Sequence, residues 1–192
     1  MYQITSKSVT EDFHNFLIAS IAYVVSMALT LGFVFPIQSM LVPASFLEVG
    51  LLFLPHGVRV LAFYFFGWKA IFYLLPSAYL FLALSNHAGT DLNIMSPVVS
   101  IIACYLGYKS ATYLPALRNR ALSPSLWKFL VFAGVVSSLA NGVALSTLQH
   151  KGAELLSILG YLIGDVAGLI VCFLMLLYVF RFARILAEAD NA

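Results

Sequence analysis

Charge is what this sequence has least of. Only 9% of its 192 residues are Asp, Glu, Lys or Arg, against about 25% in soluble domains, and so low a share excludes an ordinary water-soluble fold. The net charge is +2 and no basic tract is present, which leaves nucleic acid nothing to bind. Cysteine is nearly absent as well. Cys104 and Cys172 both fall in apolar runs, far from any Cys-x-x-Cys or Cys/His cluster. Both read as buried free thiols, so neither a disulfide nor a metal site is expected, and no cofactor is implied. Catalytic signatures are missing too. No serine sits in a Gly-x-Ser-x-Gly turn, no His-Glu-x-x-His helix exists, and the four histidines are scattered. An acid–base set of His56, Arg59 and Asp165 is the one catalytic arrangement in view, and the chain is read as a non-enzyme.

What remains is apolar. With 62% hydrophobic residues and a mean hydropathy of +0.97, the expected fold class is all-α, a polytopic integral membrane protein in contact with a lipid bilayer. A helix needs about 20 mostly apolar residues to cross the hydrocarbon core. Six stretches qualify, at about 13–35, 48–66, 69–85, 94–114, 126–148 and 155–181. The organisation expected is an N-terminal segment 1–12, a six-span transmembrane domain 13–181 and a C-terminal tail 182–192. The first apolar run follows Glu11 and Asp12 and is longer than the h-region of a signal peptide, so it reads as a retained helix. Pro36 and Pro43 bracket the first connection, Trp68 and Lys69 make a tight second turn, and a polar stretch around His87 and Asp91 makes the third.

An even span number puts both termini on one side. With them inside, Lys7, Lys69, Lys109, Arg118, Arg120, Lys128, Arg181 and Arg184 all lie at or near the cytoplasmic face, and only Lys151 lies outside. The positive-inside rule therefore places both termini in the cytoplasm, and the bacterial inner membrane is the expected location. Small residues spaced by four mark helix faces for close packing: Ala22 and Ser26, then Gly134, Ser138 and Gly142, then Gly160, Gly164 and Gly168. Those faces suit packing within the bundle or docking of a partner membrane protein.

Two full charges, Arg59 and Asp165, interrupt this apolar background. An ion at the centre of a membrane helix costs about 2.5–3.5 kcal/mol on insertion scales and is a candidate functional site by default. The second and sixth spans both start on the outer side, near Glu48 and Leu155. At 1.5 Å of rise per residue, both charges lie roughly 15 Å in, close to the bilayer middle. They can pair if these two helices are neighbours. Just before Arg59, Pro55 and Gly57 predict a kinked second helix, and broken helices of this kind build substrate sites in transporters. His56, Asn141, Tyr161 and Glu48 complete the candidate ligand-binding set with Arg59 and Asp165, with His87 as a possible addition. Each also has a structural reading: a mutually neutralising ion pair, a packing histidine, interhelical glue at Asn141, solvated groups at Glu48 and His87. Lys109 snorkels to the inner face. An Arg suits a carboxylate or phosphate and an Asp suits an amine or a cation, so the implied ligand is a zwitterionic or polar small molecule.

Two resemblances sharpen the expectation. The run Pro55-His56-Gly57-Val58-Arg59-Val60-Leu61, followed by Gly67, resembles a Pro-x-Gly segment of the membrane-associated sensor domain of bacterial signalling proteins. Tyr161 to Leu169, with Gly164-Asp165 and Gly168, looks like that family's later Gly-Asp-x-x-Gly segment. The two occur in the family's order and cover about a tenth of the chain. Departures are plain: the family has about eight spans and a fused cytoplasmic output domain, six spans are counted here, and Leu54 replaces the family's tryptophan. In span number, length and orientation the chain is also similar to the substrate-binding subunit of energy-coupling-factor transporters. Taken together, these features lead to the expectation of a small-molecule binding or sensing module acting through a separate membrane or signalling protein. The alternatives are an uptake-transporter subunit and a structural membrane protein without a ligand.

Overall fold

The computed structural model describes residues 2–41, 50–87, 93–114, 126–150 and 155–189, and among them all regular structure is helical. Helix α1, Tyr2–Leu29, passes through a π-helical turn, Thr30–Val34, into α2, Phe35–Leu41. The π turn has a cause in the sequence. Phe35 N–H donates to Thr30 O, widening the backbone directly ahead of Pro36, whose ring would clash with the carbonyl four residues back in a regular turn. The helix thus runs through Pro36 to Leu41 instead of ending there as expected; Pro43 lies outside the described residues.

The next helices are α3, Leu54–Phe66, and α4, Ala70–His87, separated by a short 3-10 turn, Gly67–Lys69. Gly67 has φ +57° and ψ −139°, a conformation open to glycine and closed to side chains with a Cβ. The turn expected at Trp68 and Lys69 therefore exists, and the residue that makes it is Gly67. Helices α5, Ser96–Tyr113, α6, Leu126–His150, and α7, Leu155–Ala189, complete the fold. Four helical stretches are long and apolar enough to cross a membrane: Val9–Leu41, Leu54–Leu84 with the Gly67 break inside it, Leu126–Leu148 and Ile158–Glu188.

Contacts at three levels set the relative direction of α1 and α3. Gln38 Oε1 accepts from Leu51 N–H at one end, Tyr23 meets Arg59 in the middle, and Asp12 meets Lys69 at the other. The two helices are antiparallel. Short α3 is the hub of the molecule, touching α1, α4, α5, α6 and α7. Its Phe63 is fully buried between Tyr105 and Tyr108 of α5, and its Tyr64 packs edge-on to Phe129 of α6. In contrast, α7 beyond Leu174 presents Met175, Tyr178, Phe180 and Phe182 outward. Apolar surface of this extent is compatible with lipid contact.

Glycines decide how closely α7 approaches the second span. A Cβ on Gly164 would strike the carbonyl of Gly50, and one on Gly168 the carbonyl of Phe53. Gly57, facing α7, would meet Cys172 and the Gly168 carbonyl. Gly134 and Gly142 of α6 abut Leu169 and Tyr161 of α7, and the Ser138 hydroxyl donates to Tyr161 O at 3.2 Å. The small-residue faces of α6 and α7 are thus used within the molecule, whereas Ala22 in α1 is exposed.

Candidate functional site

The second span differs from its expected form in one way that shapes the site. Residues Gly50–Phe53 are not helical, and α3 begins at Leu54 with Pro55 in its first turn. In a first turn a proline's missing N–H costs nothing, because no intrahelical acceptor awaits it. Pro55 therefore starts a helix where a kink in a continuous one was expected. Gly57, read as a loosening residue, serves instead as the close-approach point against α7. The non-helical segment lies in the groove formed by Gly164 and Gly168, and Phe53 N–H donates to Gly164 O at 2.9 Å. Irregular backbone at membrane depth is tolerated only when buried against protein, and this glycine groove supplies that burial.

The break carries His56 and Arg59 into the centre of the bundle. His56 is fully buried, Arg59 is 5% exposed and Asp165 1%. The sequence brings Arg59 and Asp165 to neighbouring helices, as expected, but the direct ion pair between them does not form. Asp165 is instead bound to His56, with Oδ2 at 3.3 Å from Nδ1, and it accepts from Asn141 Nδ2 at 3.5 Å. The reason is placement on α3: His56, in the first turn, stands closer to α7 than Arg59, which lies on the side facing α1.

A polar chain extends in both directions from this pair. On one side Ser100 of α5 donates to Asn141 Oδ1 at 2.8 Å. On the other, His56 Nε2 is 3.2 Å from Ser137 Oγ and 3.3 Å from Gly134 O, while Cys104 Sγ lies 3.9 Å from Nδ1. Two protonation patterns satisfy these groups. A neutral ring donates through Nδ1–H to Asp165 and accepts at Nε2 from the Ser137 hydroxyl. A doubly protonated ring donates to Asp165 and to Gly134 O. Ser100 and Ser137 were not singled out in the sequence, and Cys104 was read as a buried free thiol alone; as single small polar residues in apolar helices they resemble ordinary packing positions.

Arg59 has different company. Nη2 donates to the Tyr23 hydroxyl at 2.7 Å, and the guanidinium carbon lies 5.4 Å from the Tyr23 ring centre and 5.6 Å from that of Phe53. Among the described residues Nε and Nη1 have no hydrogen-bond partner. Tyr23 and Phe53 also escaped sequence reading, since nothing in a run of aromatics tells which ring a buried cation will choose.

The remaining expected site residues divide simply. Asn141 belongs to the cluster. Tyr161 sits one turn from Asp165 on α7, half-buried, with its backbone carbonyl taken by Ser138. Glu48 and the side chain of His87 lie outside the described residues. Lys109 lies over the Tyr105 ring at 5.7 Å. No family model matches the chain, and no curated protein or solved structure matches it either.

Proposed function

We propose that the chain is a six-span protein of the bacterial inner membrane, with both termini in the cytoplasm, that binds a small polar molecule at the buried centre of its bundle. It acts through a separate membrane or signalling protein, as the likeness to sensor domains suggests. The six-span count supposes that the Gly67 turn separates two crossings and that α5 makes one more. The meeting of Lys69 with Asp12 supports the first supposition, since it joins the expected inner ends of the first and second spans.

One observation carries the binding reading: Arg59 is almost wholly buried, yet Nε and Nη1 have no partner among the described residues. An unpaired buried charge is costly to a fold that gains nothing else from it. A ligand that meets those donors supplies the gain. His56, Asp165 and Asn141 line the adjoining wall, where the interrupted second span resembles the broken helices of transporter sites.

A hydrolase reading is weaker, although Ser137, His56 and Asp165 stand in series. Ser137 Oγ lies 2.9 Å from Gly134 O as well as 3.2 Å from His56 Nε2, so its one proton is shared between two acceptors instead of being committed to the histidine. A small-molecule library read by thermal shift in detergent tests the binding reading. Saturable shifts are expected from a compact class of polar molecules, weakened in His56→Ala and Asn141→Ala. Shifts that survive both substitutions place binding elsewhere, and a complete absence of shifts removes the reading.

A further inference from the structure

Resting on the ligand-binding reading, we infer that the ligand is an organic carboxylate with an apolar or aromatic body, and that Arg59 holds its carboxylate. Three observations converge. The guanidinium is buried and positively charged whatever the pH, and its Nε and Nη1 donors are unsatisfied among the described residues. The Asp165 carboxylate, the nearest candidate to neutralise it, is already engaged by His56 and Asn141. The rings of Tyr23 and Phe53 lie 5.4 and 5.6 Å from the guanidinium carbon, giving the charge aromatic neighbours that an apolar ligand body can pack against.

The chemistry follows from these surroundings. Tyr23 takes one of the five guanidinium N–H donors at Nη2. Nη2 keeps a second N–H, so a carboxylate can pair it with Nε–H or with an Nη1 N–H along one edge of the guanidinium, and charge-assisted bonds of this kind are the strong ones. An amine is repelled by Arg59 and finds Asp165 occupied. A bare inorganic anion gains the charge contact but nothing from Tyr23 and Phe53, whereas a carboxylate on an apolar body gains both. The carboxylate of a ligand therefore completes in Arg59 what His56 and Asn141 complete in Asp165, which is polar partners for a buried ion.

Isothermal titration of the full chain in detergent with benzoate, inorganic phosphate and benzylamine tests this. Benzoate is expected to bind saturably, at least tenfold tighter than phosphate, with benzylamine not binding. Arg59→Lys keeps the charge but loses the fork, and should weaken benzoate at least tenfold. Should that variant fail to fold, the Arg59 Nε–H resonance of the parent protein, read by nitrogen-15 NMR, is expected to move downfield on benzoate addition. Binding of benzylamine alone, or of phosphate more tightly than benzoate, overturns the carboxylate assignment while leaving a ligand site in place. A benzoate isotherm unaccompanied by any change at Arg59 Nε also overturns it. If none of the three binds and the wider library gives no shift, the binding reading falls as well.

Discussion

At the scale of single residues, the two buried ions are satisfied by different means. Asp165 has a histidine and an amide; Arg59 has a phenol, two aromatic neighbours and, among the described residues, no partner for Nε and Nη1. Breaking a buried pair by deleting one member leaves an uncompensated charge and costs about 3–5 kcal/mol. Asp165 substitutions raise the converse case, since Asp165→Ala leaves His56 with one polar partner fewer. A double-mutant cycle between His56→Ala and Asp165→Ala, followed by denaturant unfolding in micelles, is expected to give a coupling of about 1–3 kcal/mol. The corresponding cycle between Arg59 and Asp165 should give clearly less. Equal couplings in the two cycles would mean that Arg59, not His56, is the partner of the carboxylate.

At the scale of elements, the decisive feature is the interrupted second span lying in the glycine groove of α7. Both Gly164 and Gly168 face backbone carbonyls there, and backbone cannot move aside as a flexible side chain can. Gly168→Ala should therefore cost about 1–3 kcal/mol or more through overpacking, with loss of the polar centre's geometry. A neutral effect in thermal unfolding would show that the segment lies farther from α7. Gly67→Ala is expected to destabilise by about 1–3 kcal/mol for a separate reason, its positive φ. Of these features, a helix boundary or bend at Pro55 is visible in the sequence, because proline carries its backbone limits with it. That Pro55 would start a helix and not bend one is not visible, since it depends on whether Gly50–Phe53 finds a groove on another helix. The glycines of the sixth span read as close-packing positions, and so they are. Their partner is non-helical backbone, which no helical period announces.

At the scale of the whole molecule, the bundle is layered along its length: Gln38 with Leu51 at one end, the charged centre, and Asp12 with Lys69 and Tyr73 at the other. The Asp12–Lys69 bridge is about two-fifths exposed on both sides and is screened by solvent; its use is to mark which ends coincide. That Arg59 and Asp165 fall near one another on neighbouring helices is legible by counting rise per residue. The choice of partners is not, because it turns on which side of α3 each residue occupies. Orientation is open to direct test. Lys151→Cys should react with a membrane-impermeant maleimide in intact cells and Arg118→Cys only after lysis, while buried Cys104 stays silent. Labelling of Arg118→Cys in intact cells would reverse the topology.

The central question is whether Arg59 serves the fold or a ligand, and Arg59→Met answers it most directly. Methionine fills similar volume, packs well against Tyr23 and Phe53, and removes an ion whose insertion costs about 2.5–3.5 kcal/mol. If Arg59 is held for a ligand, the ligand-free variant should unfold in detergent at the parent's temperature or above it, and benzoate should no longer stabilise it. A fall in melting temperature equivalent to the about 3–5 kcal/mol of a broken buried pair would make Arg59 a structural ion and contradict the proposal.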